Sequence, residues 1–277
     1  MNFWTIAVII LLALIGAVVI ILVIAKLALS AQFNREVREL FSLSKDISDR
    51  KFDLSQIADL PEPVQRYFKH VLKDGQPYIS CVRLKHDGQF KTALDKNWMN
   101  IEGEQYFTAG KPGFIWRGTT SMFTARDMYI ADKGRLIVSL FSLYNVVDGT
   151  GDDFNEGELQ RWVSESVWFP TNLLPGERIT WSAIDERSAK LVFNYKTISF
   201  FYVVTFNEIG EITQMETERF MGDEGRNPWL CKMADYSKIN GVVVPTEAEA
   251  IWNLKQGEFS YAKFEINEIE YNRPERF

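Results

Sequence analysis

The chain has 277 residues, 46% hydrophobic and 14% aromatic, with 31 Lys and Arg against 37 Asp and Glu and a formal net charge of −6. This acidic balance argues against nucleic acid as a partner, since affinity for a phosphate backbone comes from clustered basic groups that release counterions. Two cysteines, Cys81 and Cys231, are too few for a disulfide framework and read as buried free thiols.

The first 25 residues carry no charged side chain, and Phe3 to Ile24 is almost wholly aliphatic or aromatic. At about 1.5 Å per residue such a helix matches a hydrocarbon core of roughly 30 Å. Each large apolar residue favours insertion by about 0.3 to 0.6 kcal/mol, so the run predicts a membrane anchor over residues 1–29. A cleavable signal peptide fits less well. Met1-Asn2 supplies no basic residue, and Lys26 intrudes before the small-residue site at Ala28-Leu29-Ser30. Lys26, Arg35, Arg38, Lys45, Arg50 and Lys51 follow the run, and this basic flank favours a cytoplasmic position for the rest of the chain.

From Ala31 to Asp46, Phe33, Val37, Leu40, Phe41 and Leu43 recur at helical spacing among charges, which predicts a helical stalk and linker over 30–57. Pro61-Glu62-Pro63 opens a short helix with Val64, Tyr67, Phe68, Val71 and Leu72 on one face, stopped by Gly75 and Pro77. From residue 79 the period changes to two. Strands are expected near 79–91, 97–108, 113–118, 122–131, 135–144, 178–184, 189–196, 199–208, 211–221, 230–237, 242–252 and 258–270, with one assignment in excess. Val242, Val244, Ala248, Ala250 and Trp252 point one way and Glu247 and Glu249 the other, the pattern of a half-buried antiparallel strand. Asp87-Gly88 and Asn207-Glu208-Ile209-Gly210 suit tight turns.

One helix interrupts the strands over 155–168, with Asn155 as its N-cap, Leu159, Trp162, Val163 and Ser166 on its apolar face, and Phe169-Pro170 at its end. A long antiparallel sheet must curve to bury one face. The expected fold is therefore mainly β: one strongly curved antiparallel sheet, a half-barrel over 58–277, clasping an inner helix and preceded by the transmembrane helix and stalk.

Chemistry-bearing patterns are sparse. His70 and His86 lie in no metal-ligand spacing and accompany no nucleophile motif, so surface or structural roles are expected and no catalytic residue is assigned. The segment from Asp148 to Glu158 is rich in oxygen ligands but lacks the calcium-loop pattern, and Gly-rich phosphate loops are absent, so neither metal nor cofactor is expected. On the helix Glu158, Arg161 and Glu165 share a stripe, and Arg161 is expected to bridge both carboxylates in a structural ion network. Trp162, Trp168, Phe169, Leu173, Leu174 and Trp181 either fill the core or line a ligand cavity.

The segments Leu60-Pro61-Glu62-Pro63-Val64-Gln65-Arg66-Tyr67, Gly157-Glu158-Leu159 and Trp168-Phe169-Pro170-Thr171, with Leu173-Leu174-Pro175, Trp181, Asp185, Pro228-Trp229, Asp235-Tyr236, Gly241, Pro245-Thr246 and Tyr271-Asn272, occur in an order that resembles a bacterial family known only as a domain of unknown function. The resemblance covers about 58–272 and implies no activity. At the level of fold, the strand order with an inner helix is similar to lipoprotein-carrier half-barrels, which shelter acyl chains. The leading expectation is a membrane-anchored, non-enzymatic domain binding a lipid or other apolar ligand. The alternatives are a hydrolase or transferase using carboxylates such as Glu158, Glu165 or Asp235, and a membrane-tethered scaffold for an unspecified protein partner.

Overall fold

The structure, a computed structural model, describes residues 2–44, 46–222 and 225–277. A single helix, α1, runs Phe3–Ser42. Its first part is exposed along its length and apolar enough to cross a membrane. Beyond the apolar run the helix does not stand free. Phe33, Val37, Leu40 and Phe41 are buried against the convex face of the sheet, because their helical spacing makes one apolar stripe.

A 3-10 turn at Leu54–Ile57 follows, capped by Asp53, and then α2, Glu62–Val71, which buries Val64, Tyr67, Phe68 and Val71. Thirteen strands make one fully antiparallel sheet: β1 Cys81–Phe90, β2 Met99–Thr108, β3 Gly113–Thr119, β4 Phe123–Ile130, β5 Lys133–Leu140, β6 Tyr144–Thr150, β7 Ile179–Ala183, β8 Ser188–Tyr195, β9 Ile198–Phe206, β10 Ile212–Phe220, β11 Arg226–Ile239, β12 Val242–Leu254 and β13 Gly257–Tyr271. Their order is β6-β5-β4-β3-β2-β1-β13-β12-β11-β10-β9-β8-β7, two meanders joined where the first and last strands pair. Between β6 and β7 the chain leaves the sheet as α3, Asp152–Ser164, followed by 3-10 turns at Glu165–Trp168 and Pro170–Leu173. This insert packs on the concave face, so the curved sheet clasps its own crossover. Register shifts at Lys85/His86, Val138/Ser139 and Ala250/Ile251 help bend the strands around it.

The alternation of β4 shows how one strand serves two layers. All eight of its residues are buried. Ala125 and Tyr129 belong to the large inner core around α3, and Met128 and Ile130 to the cluster under α1. On that convex side Arg126 pairs with Glu36, and Arg276 reaches Glu104 and Asn34.

Three sequence expectations are corrected. Asp87-Gly88 is not a turn but lies inside β1, where a Cβ on Gly88 would stand 2.1 Å from the Lys263 carbonyl oxygen; the glycine serves close strand approach. The helix starts at Asp152 behind Gly151, and Asn155 does not cap it: its side-chain oxygen accepts from the Gly134 N–H at 2.8 Å. The Asp148 segment is the unexpected edge strand β6, almost wholly exposed and therefore lacking an apolar alternation. The Asn207–Gly210 turn is present, with Gly210 at φ +97.

Candidate functional site

Between the concave face and α3 lies a cavity of about 810 Å³. Its walls are mostly apolar: Phe90, Phe123 and Val138 from one meander, Ala248, Ala250 and Trp252 from β12, and Trp229 from β11. The inward alternation of β12 was expected from sequence and places three of these residues. The floor is charged, with Asp127, Glu158, Arg161, Glu165 and Arg219 among the lining residues.

α3 supplies one side of this floor and the strands the other. Arg161 Nε donates to Glu165 Oε1 at 2.9 Å, one helical turn away, while its Nη1 donates to Asp127 Oδ2 of β4 at 2.6 Å. Glu158 is not bridged by Arg161 as the helical stripe suggests. It accepts from Arg219 of β10 at 3.5 Å, because packing on the sheet brings a β4 carboxylate closer to Arg161 than its own helix neighbour. The Arg161 guanidinium also lies 4.9 Å from the Trp116 ring centroid and that of Arg219 4.7 Å from Trp229. Gln105 Nε2 donates to the second Glu165 oxygen at 2.6 Å.

Burial pushes the Glu158 carboxyl well above its usual range, and the neighbouring Asp127 charge adds to this while Arg219 and Arg161 oppose it. Glu165 is likewise raised by burial, against the pull of Arg161 and Gln105. For Arg161 burial would lower the pKa, but Glu165 and Asp127 outweigh it and the guanidinium stays charged. Cys231, also facing the cavity, is pushed up to about 12 by burial and is an unreactive thiol. It sits in the inner core and Cys81 under α1, and both are free.

The predicted ligand residues divide. Trp168 lines the cavity, its Nε1 donating to the Pro245 carbonyl at 3.2 Å. Trp162 is wholly enclosed, donating to the Thr108 carbonyl at 3.1 Å and packing on Phe169 and Phe193. Phe169, Leu173 and Leu174 lie in the core, and Trp181 packs on Phe68 and Phe206 and donates to the Leu173 carbonyl. None of these five lines the cavity. Asp127 and Arg219 were not singled out from the sequence. They lie 34 and 58 residues from Arg161, and isolated charges on strands read as solvent-facing.

His86 is a buried structural residue. Its Nε2 accepts from Trp116 Nε1 at 2.8 Å, and burial lowers its pKa to about 4, so the ring is neutral and supports a cavity wall. Of the oxygen-rich segment, Asp148 pairs with Arg135, Glu156 with Arg226 and Glu158 with Arg219, and no metal-binding cluster occurs among the described residues. Asp235 is exposed and accepts from Thr246, outside the cavity lining.

The cavity extends to one end of the sheet. Phe90 and Thr92 at the end of β1, Leu140 at the end of β5 and Met221 beyond β10 line it there. The neighbouring turns at 120–122 and 141–143 touch, Phe141 N–H bonding the Met122 carbonyl, and leave Met122, Phe141, Leu143 and Tyr144 exposed. α1 runs toward this same end. Leu40 lies beside Gly113, Phe33 over Arg117, and Ala25 to Leu29 share a crevice with Ser142 and Leu143.

Fold and site thus define an antiparallel half-barrel around an apolar cavity with a buried ionic floor, carried by a long N-terminal apolar helix. Residues 50–264 match the family of unknown function DUF6544, and the chain belongs to that family. The chain is similar to the crystal structure of a LolA superfamily protein from Nitrosomonas europaea, with 10% identity, a TM-score of 0.43, and coverage of 76% of this chain and 92% of the other. No curated protein matches it.

Proposed function

We propose that the protein is a membrane-anchored binder of a lipid or other apolar-tailed molecule, held in the half-barrel cavity. The observation that carries this reading is the 810 Å³ space with apolar walls, within the roughly 300–1,000 Å³ of ligand sites. Residues 1–29 are the anchor, residues 30–57 the connection and residues 58–277 the binding domain. The open end of the cavity lies on the side toward which the apolar part of α1 extends, so a tail can pass between bilayer and cavity with little apolar surface wetted. The basic residues after the apolar run favour the cytoplasmic side.

The test is mass spectrometry of full-length protein extracted in mild detergent, with and without Ala250→Trp. Wild type carries acyl-chain adducts, and the indole, placed on a wall residue, obstructs part of the cavity and lowers their abundance. Adduct-free wild type, or a variant loaded like wild type, overturns the reading. One observation favours a second reading, carboxylate-based hydrolysis or transfer: Glu158, which lines the cavity, is raised well above its usual range by burial, as a general acid requires. Under it, Glu158→Gln abolishes conversion of a bound ester-containing lipid.

A further inference from the structure

The floor of the cavity holds three carboxyl groups, Asp127, Glu158 and Glu165, against two guanidinium groups, Arg161 and Arg219. Glu165 is engaged on both oxygens, by Arg161 and Gln105. Asp127 and Glu158 are each engaged on one. Glu158 Oε2 and Asp127 Oδ1, on residues only 3% and 7% exposed, have no donor partner among the described residues, and both residues line the cavity. Burial and the nearby Asp127 charge raise the Glu158 carboxyl well above its usual range, which favours its protonated form. A proton thus occupies the place of a missing third cation.

We propose that the Asp127–Glu158 pair receives the head group of a cationic amphiphile, a primary ammonium, whose tail occupies the apolar cavity. This rests on the tail-binding reading above. An ammonium brings one positive charge and several N–H donors to two convergent acceptors, and Glu158 releases its proton to solvent as the ligand enters. The floor then holds three negative charges against three positive ones. A carboxylate or phosphate head would add a negative charge beside Asp127 and Glu165, and the nearer guanidinium, Arg161, is already held by both. The other charged and titratable groups lining the cavity are Arg219 of β10, Cys231 of β11, Tyr261 of β13, Glu249 of β12 and Asp153 of α3; the Tyr261 hydroxyl accepts from Trp229 Nε1, and burial holds its pKa up at about 12. No further cation from the strands faces the cavity among its lining residues.

The test is native mass spectrometry of the full-length protein in mild detergent at pH 7 with equal amounts of hexadecylamine, palmitic acid and hexadecanol. The amine adduct exceeds each of the others at least tenfold on wild type, and in Glu158→Gln the amine-to-alcohol ratio falls to about one. Calorimetry of wild type in buffers of different ionisation enthalpy gives a second measure that needs no variant: close to one proton leaves per amine bound and none per alcohol. Equal or stronger binding of palmitic acid or hexadecanol, an unchanged ratio in Glu158→Gln, or amine binding without proton release overturns the proposal while leaving tail binding standing. If none of the three amphiphiles binds, the tail-binding reading falls and this proposal with it.

Discussion

The two faces of the sheet are built from alternate residues of the same strands, yet they are satisfied differently. On the convex face, the buried stripe of α1 closes over Tyr106, Ile115, Met128 and Ile137, and a crevice of about 450 Å³ remains beside it, nearer the apolar part of the helix. Each carboxylate named there is engaged: Glu36 by Arg126, and Glu104 by both Arg117 and Arg276. For Glu104 burial would raise the pKa, but the two guanidiniums and the Tyr106 hydroxyl hold it below the ordinary range. On the concave face, α3 leaves a cavity, and the carboxyl groups outnumber the guanidiniums. The convex face is packed by a helix of the chain itself with each named carboxylate engaged, whereas the concave face keeps an apolar cavity and two carboxyl oxygens without a partner among the described residues.

Substitutions on the two faces test this contrast. The largest effect is expected from Trp162→Ala in the filled part of the inner core, about 3–5 kcal/mol by chemical denaturation. Trp168→Ala is expected to cost less, because Trp168 lines the cavity and packs on one aromatic ring, Phe107, where Trp162 packs on two. Equal losses would mean that the cavity wall is as tightly packed as the core. On the convex face, Glu36→Ala leaves the buried Arg126 guanidinium uncompensated and is expected to cost about 3 kcal/mol and to loosen α1, seen as faster amide exchange in the Cys81 and Tyr106 strands. Unchanged exchange would show that apolar packing alone seats the helix.

His86 links the faces to pH. Its folded-state pKa of about 4 lies below the unfolded value of about 6.5, so the unfolded chain binds the proton more readily. This contribution to stability is complete above about pH 6.5 and is lost as pH falls toward 4, by an amount of about 3 kcal/mol. His86→Gln is expected to flatten that part of the pH–stability profile; a slope equal to wild type would assign it to the carboxyl groups. The smallest effect is expected at the edge. Arg135 and Asp148 form a bidentate pair, but both side chains are 42% exposed, and Asp148→Ala should change stability by less than about 1 kcal/mol. A larger loss would show that β6 helps hold α3 in place.

The sequence by itself determined the features set by local period and composition. The uncharged run over 3–24 makes a long apolar helix, the stripe of Val64, Tyr67, Phe68 and Val71 makes α2, and period-two segments such as Val242–Trp252 make strands with defined inner faces. It left β6 undetected because an exposed edge strand need not alternate, and placed a turn at Asp87-Gly88 because close strand approach and turning both select glycine. Only the tertiary structure decided which ionic groups meet. Helical spacing offers Glu158 to Arg161, but the curvature of the sheet brings Asp127 and Arg219 into the same floor, and in a low-dielectric space distance and alignment select the partners. Whether the aromatic segment around Trp168 fills or lines the interior was equally beyond the chain alone, since residue volume and hydrophobicity are the same in both cases and only the gap between sheet and crossover distinguishes them.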